Sequence, residues 1–542
     1  MTGPSPAPGA TGATSGSATS AHGLERSRRL VLGEVLARNA RRQPDKPAIV
    51  FEDESLTYSE LDSRVNRLAH GLQSLGVAAG DRVAVLMYNR LELVESLFAC
   101  HKLGACPVPV NFRLSPDEVA YVLRHSGSRA VITDEQLLPV ALDAGAGGRP
   151  MVVTGGASTP HGTSSYDALV AAGSDHEPDV LVGEDDLAFL MYTSGTTGLP
   201  KGAMLTHKNL VTNTMNWVTE LQATGEDVWL SGLPLFHIGG INGLLPFLYL
   251  GGTSVITPST GFDPLRSMRL IAEHQATYCY FVPTQWQQIC ALDEIAEIDT
   301  SHLRIALWGA SQAPPSTLEQ LVRTFPSVGV VNAFGMTEMS SNTCFLKPAD
   351  AVRKMGSIGR PVLNVEVRVV DEQMRDVPRG TVGEIVYRGP TVMAGYFDDE
   401  AATAAAFEGG WFHSGDLVRE DEDGFLYVVD RAKDMIISGG ENIYPAEVER
   451  AVEAHPGVRE VAVVGVPHPR WIETPIAVVV SAGDTDPTAD EVLDFVKGKL
   501  ASYKKPAAVL VVDSLPRNAS DKILKRELRE RYLGLFGDGG TQ

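Results

Sequence analysis

Cysteine is scarce in this chain, with five in 542 residues (Cys100, Cys106, Cys279, Cys290, Cys344), and none sits in a CxxC pair or a paired Cys/His spacing. That pattern excludes a disulfide framework and a sequence-local zinc site, and points to reduced thiols in the cytosol, so a cytoplasmic protein is expected. Long apolar runs are lacking as well. The longest, from residue 241 to 256, is broken by Gly243, Pro246 and Gly251-Gly252. A bilayer span needs about 20 apolar residues, so no integral membrane contact is expected. Positive charge is in deficit: 46 Lys plus Arg stand against 67 Asp plus Glu, a formal net charge of -21. Nucleic acid and anionic membranes both require a basic footprint and are disfavoured as partners. A small anionic ligand is not, because a local basic loop overrides the global field. The first two dozen residues carry no Asp, Glu, Lys or Arg and no apolar h-region, which predicts a disordered tail over residues 1–28 in place of a signal peptide.

What is present is a large soluble composition, 44% hydrophobic and 21% charged, in a chain too long for one core. Apolar strands alternate with amphipathic helices through most of it. Leu30 to Arg41 has helical spacing, Pro47 to Phe51 reads as a strand, and Thr57 to Gly76 reads as a helix with a capping box and a glycine stop. Arg82 to Met87 is then a buried strand and Leu91 to Leu103 a helix. This alternation predicts α/β layering with largely parallel sheets. Beyond about residue 360, Val365 to Val370, Gly383 to Arg388 and Gly424 to Val429 alternate at period two between Gly and Asp turns, which predicts an antiparallel, barrel-like β region. A further α+β unit begins near Glu447. The expected organisation is an N-terminal domain over 29–430, a hinge over 431–435 and a small mobile C-terminal domain over 436–535.

The strongest chemical signal is Met191-Tyr-Thr-Ser-Gly-Thr-Thr-Gly-Leu-Pro-Lys-Gly202. Glycines and hydroxyl residues after an apolar strand make a loop whose backbone N–H groups can wrap phosphate oxygens. Thr193, Ser194, Gly195, Thr196 and Thr197 supply donors and close backbone approach, and Lys201 adds a point charge. Pro200 before the lysine, with no Ser or Thr after it, separates this from a Walker A loop.

The segment resembles the signature loop of the adenylate-forming superfamily, which includes acyl-CoA synthetases, luciferases and peptide-synthetase adenylation domains. Eight further stretches agree in the family's order. They are Leu233 to Gly239, Trp308 to Ser311, Asn332 to Glu338, Gly359 to Pro361, Trp411 to Leu417, Asp430-Arg431, Ile437 to Pro445, and Leu515 to Leu524. The resemblance implies ATP-dependent activation of a carboxylic acid as an acyl-adenylate, followed by transfer to coenzyme A. ATP, Mg²⁺ and CoA are the implied cofactors, and a monomer or homodimer the expected state.

By the same resemblance, Glu338 ligates magnesium with Thr193 joining through its hydroxyl, and Thr337 donates to the α-phosphate. Phe334 stacks on adenine within the Asn332 to Gly335 strand, opposite Gly309, Ala310 and Ser311. Asp416 accepts the ribose hydroxyls and Arg431 reaches the same sugar. Lys522 bridges the substrate carboxylate and the α-phosphate, and Lys433 matches the hinge. Gly439 and Gly440 approach the pantetheine thiol after the small domain rotates, and His237 stands at the acyl pocket. An anion must approach an anion here, so catalysis consists of positioning and charge neutralisation more than acid–base work. Asp521, beside Lys522, departs from the glycine commonest at that place.

Residues expected around the acid are His237, Ile238, Gly240, Asn242, Trp308, Gly309, Gly335, Met336 and Ser340. They suggest a medium-sized apolar or aromatic acid, with fatty and aryl acids both open. The alternative keeps the first half-reaction and changes the acceptor, to an amine, a carrier thiol, or nitrite-dependent diazotisation of an amino-aryl acid.

Overall fold

The computed structural model describes residues 23–156, 162–193, 199–310, 313, 315–438, 441–483, 486–497, 499–500, 502–518 and 522–536. Local signals act where expected. In helix Tyr58–Ser74 the Thr57 hydroxyl accepts from Glu60 N at 3.2 Å while the Glu60 carboxylate accepts from Thr57 N at 2.9 Å, so two orphan donors are satisfied at once. Helix Leu91–Leu103 is buried nearly all round, with Glu95, Ser96, His101 and Lys102 buried among its apolar residues. Gly104 then ends it in the left-handed region.

Two sheets carry the N-terminal part. One has nine strands, in the order Arg360–Pro361, Ser341–Leu346, Gly329–Met336, Ile305–Gly309, Tyr278–Tyr280, Val228–Ser231, Thr253–Ile256, Pro47–Phe51, Glu54–Thr57. Its centre is parallel and its two margins antiparallel. The other, running from Cys106–Pro109 through Arg82–Leu86 and Ala130–Asp134 to Met151–Thr154 and Ser164–Ser165, is parallel throughout. The layered α/β reading therefore holds. The broken apolar stretch resolves into helix Ile238–Leu250 and strand Thr253–Ile256, separated by Gly251 at positive φ. Among the described residues no helix is long and apolar enough to cross a membrane.

The period-two region forms a four-stranded antiparallel sheet of Glu366–Val370, Val382–Arg388, Phe412–Glu420 and Leu426–Arg431. It takes the form of an open sheet, with no closing pair between its outer strands among the described residues. A separate sheet follows, in which Ile472–Ser481 pairs with Val458–His468, Ile436–Ser438 and Ala508–Val511. The apolar clusters divide at the same point. Those built from residues before Arg431 are distinct from the two built from Ile436 onward. Across the division, Asp430 accepts from Ala446 N at 2.9 Å.

Candidate active site

The phosphate-loop segment is carried by a hairpin. Strand Leu187–Thr193 pairs antiparallel with Lys201–Thr206, and Thr193 opposite Lys201 closes the ladder. Ser194, Gly195, Thr196 and Thr197 lie outside the described residues, as do Ser311, Gly439, Gly440 and Asp521. The return strand runs straight into helix His207–Leu221, capped by a Thr206–Asn209 box in which Asn replaces the usual Glu.

Strand Gly329–Met336 ends in a single turn, Thr337–Met339, that holds Glu338 buried. One Glu338 oxygen accepts from the Thr193 hydroxyl at 3.3 Å and from the Tyr396 hydroxyl at 3.1 Å. Tyr396 was not legible as a site residue in the sequence. It lies on the short strand Gly395–Tyr396 that adds to the phosphate-loop hairpin, and its ring faces the Lys201 ammonium at 5.0 Å. Hydroxyls gathered on one carboxylate make a hard oxygen donor set of the kind Mg²⁺ takes, in which protein supplies one or two ligands and phosphates supply others. No cluster of three or more His, Cys, Asp or Glu suited to a metal occurs among the described residues, so a dedicated all-protein cage is absent there.

Asp416 and Arg431 occupy facing positions on adjacent strands, with Arg431 Nε 2.6 Å from Asp416 Oδ1. Arg431 Nη1 also donates to Ser414 O at 3.1 Å, which fixes the guanidinium plane. Burial lifts the Asp416 carboxyl to about 6, against the opposing pull of Arg431 and Lys522; Glu338 and Glu384 add to the rise. An ion pair that close would ordinarily lower a carboxylate, so here desolvation outweighs it.

Lys522, from the C-terminal unit, comes close enough to Asp416 and Arg431 to act on both electrostatically. Its backbone is held by reciprocal bonds with Asn518, each 2.9 Å. The side chain keeps solvent access, yet crowding by protein on its other sides lowers its ammonium pKa. Arg431 and Lys433 push the same way, and Asp416 and Asp434 oppose them. Lys433, in the turn Ala432–Asp434, is likewise lowered, first by burial and then by Arg431, Arg529 and Lys525. Thr193, Glu338, Asp416, Arg431, Lys433 and Lys522 thus form one chain of contacts and charge interactions.

The adenine and acid walls need some correction. Phe334, Gly335, Met336 and Thr337 form a partly open strand end, with a bulge between Phe334 and Gly335. Gly335 is obligatory there, because an added Cβ would lie 1.7 Å from Ser341 O. At Gly309 an added Cβ would meet Ala333 O at 2.3 Å and the Tyr280 hydroxyl at 2.5 Å, and Ala310 follows at φ +66°. Asn332, expected to face the nucleotide, is buried, and its amide donates to Ser357 O at 2.9 Å. Trp308, Asn242 and Ser340, expected around the acid, are buried. Strand alternation explains Trp308, which packs with Phe281 and Trp286 on the face opposite Leu307.

His237 immediately precedes helix Ile238–Leu250 and is half-buried, its ring 4.2 Å from that of Phe236. Burial, helped by nearby Arg113, depresses the imidazole to about 4, so it is neutral at pH 7. Gly239 on the first turn has room for a side chain, with Leu233 Cδ1 3.7 Å from an added Cβ, whereas Gly240 is pressed against Pro234 O.

Comparison with known proteins agrees with this geometry. The chain matches the AMP-binding enzyme family over residues 36–397 and the AMP-binding enzyme C-terminal domain over 447–522. It is 42% identical over 503 residues to a feruloyl-CoA synthase of Amycolatopsis, covering 92% of this chain and 99% of that one. It is 38% identical over 502 residues to an indoleacetate–CoA ligase of Aromatoleum aromaticum, covering 92% and 98%. The o-succinylbenzoate CoA synthetase of Bacillus subtilis, solved with its acyl-adenylate intermediate, superposes with a TM-score of 0.82 at 34% identity over 91% of this chain and 97% of that one. The same enzyme solved with ATP and a magnesium ion also gives 0.82, at 34% identity over 91% and 98%. The chain belongs to the AMP-binding enzyme family, on its AMP-forming acid–CoA ligase branch.

Proposed function

We propose that this ligase activates an aryl-substituted carboxylic acid. The acid carboxylate attacks the α-phosphorus of ATP, pyrophosphate leaves, and the CoA thiol then displaces AMP from the acyl-adenylate. The observation that carries the reading is the convergence of Lys522 and Arg431 on Asp416, whose carboxyl also feels the Glu338 charge. Lys522 neutralises the approaching carboxylate and the α-phosphate together. Asp416 and Arg431 hold the ribose, Phe334 stacks on adenine, and the Thr193–Lys201 hairpin presents the phosphate loop. Glu338, with Thr193, would hold Mg²⁺, which when bound supplies charge neutralisation on the phosphates.

The aryl class is supported from two sides. The relatives named above act on acids that each bear an aromatic ring. Here Phe236 and a neutral His237 stand together at the start of helix Ile238–Leu250, which suits a flat apolar group better than a second charge. Pyrophosphate release from Mg·ATP with a panel of aryl and fatty acids, with and without CoA, tests the proposal. CoA-dependent turnover preferring aryl acids, with the thioester confirmed by mass, is the expected result. Preference for fatty acids would overturn the aryl assignment, and release that ignores CoA but needs an amine or nitrite would overturn the acceptor.

A further inference from the structure

Immediately after Glu338 the backbone does something costly. Ser340 and Ser341, neither a glycine, sit at φ +59° and +100° in succession. Such conformations persist only where the surroundings over-determine them. Some of the constraint is visible. The Ser340 hydroxyl donates to Thr391 O at 2.9 Å, and Ser341 O occupies the space that any side chain at Gly335 would need. The rest comes from a residue outside every recognised motif. Asn213, fully buried on helix His207–Leu221, donates from one amide nitrogen to Met339 O at 3.3 Å and to Asn342 O at 2.9 Å. These two carbonyls bracket the strained pair.

The other side of the same amide is also occupied. Asn213 Oδ1 accepts from Asn242 Nδ2 at 2.8 Å, and Asn242 is itself fully buried on the helix that starts beside His237. The amide orientation is forced: two carbonyl acceptors require the Asn213 NH₂ on the turn side, which leaves its oxygen for Asn242. One buried amide therefore joins the turn bearing Glu338 to the helix bordering the acid pocket.

We infer that Asn213 is a positioning residue, holding the strained Met339–Asn342 turn so that Glu338 stays aimed at the metal site and in register with the acid-binding helix. Asn213 touches no substrate and acts through Glu338. The inference rests on the proposed role of Glu338, but not on which acid is used.

The test uses the full-length protein and reads Mg²⁺-dependent ATP binding by titration calorimetry, together with thermal stability and the two half-reactions. Asn213→Ala is expected to raise the Mg²⁺ concentration for half-maximal ATP affinity about tenfold or more, the usual cost of losing an outer-shell support. ATP affinity without Mg²⁺ should stay within about twofold, because the adenine and ribose contacts are untouched. Thioester formation from a preformed acyl-adenylate should also be largely retained. Asn242→Ala, which spares the turn bonds, should move KM for the acid and leave Mg²⁺ dependence near wild type. Where Asn213→Ala does not fold, Asn213→Ser keeps a shorter donor and should show the same Mg²⁺ effect in reduced form. Equal losses in both half-reactions with unchanged Mg²⁺ dependence would reduce Asn213 to a packing residue and overturn the inference. Glu338→Gln leaving Mg²⁺ dependence untouched would instead overturn the reading on which it rests.

Discussion

Asp416 and Arg431 meet side chain to side chain at 2.6 Å across neighbouring strands, yet the carboxyl titrates near 6 because burial outweighs the pairing. On the proposed function Asp416 accepts two ribose hydroxyls, which it does best when ionised. ATP affinity is therefore expected to fall as pH drops below about 6, by up to tenfold per unit, and to recover above it. Titration calorimetry across that range on wild type and Asp416→Asn checks this; the variant should bind weakly with a flat profile.

The same residue makes a stability prediction of definite sign. Its folded pKa lies above the ordinary 3.8, so the native state holds the extra proton. That contribution is complete below 3.8 and is lost as pH rises through about 6. Without nucleotide, the melting-temperature difference of wild type minus Asp416→Asn should shrink or turn negative between pH 5 and 7. A difference that stays constant would show that the carboxyl titrates normally.

Lys522 is solvent-accessible, so its removal should leave the melting temperature nearly unchanged. Lys522→Ala should slow adenylation roughly 10²–10³-fold, the usual cost of losing a transition-state donor. Thioester formation from supplied adenylate should survive, and single-turnover assays of the two half-reactions separate the effects.

Gly335→Ala drives a Cβ into Ser341 O, where backbone faces backbone and neither can yield cheaply. A loss of about 1–3 kcal/mol or more is expected, with Mg·ATP binding impaired in whatever folds. Gly147→Ala, whose nearest neighbour is 4.0 Å away, serves as the silent control in chemical denaturation.

Tyr396→Phe removes one hydroxyl from Glu338 and should cost about 1 kcal/mol in Mg²⁺-dependent ATP affinity. Glu338→Gln should cost more, because it removes the charge itself. Mg²⁺ titrations at fixed ATP rank the two, and a larger effect for Tyr396→Phe would contradict a metal role for Glu338.

Much of this architecture is legible in the sequence because local signals agree with one another. Helix Leu91–Leu103 has the same bounds in both readings, and the Thr57–Glu60 box forms both of its bonds. The return strand Lys201–Thr206 is not legible, since Lys201 after Pro200 reads as loop until Leu187–Thr193 pairs with the strand it begins. Tyr396 and Asn213 escape for a related reason. Each is one polar residue in an ordinary strand or helix, and only tertiary contact with Glu338 or its turn distinguishes it. Trp308 misleads in the opposite direction, because motif membership says nothing about which face of a strand a side chain takes.

On the proposed function, strand Gly329–Met336 and the turn after it meet adenine, phosphate, metal and acid at once, so a substitution there trades one substrate against another. The helix beginning beside His237 is tied to that turn through the buried Asn242–Asn213 bond, and on its first turn, at Gly239, it has unfilled space. Drift or deliberate redesign of acid preference can accumulate there while nucleotide handling is conserved. A lineage of such enzymes can then diversify its acids through one wall and leave the shared chemistry to the other.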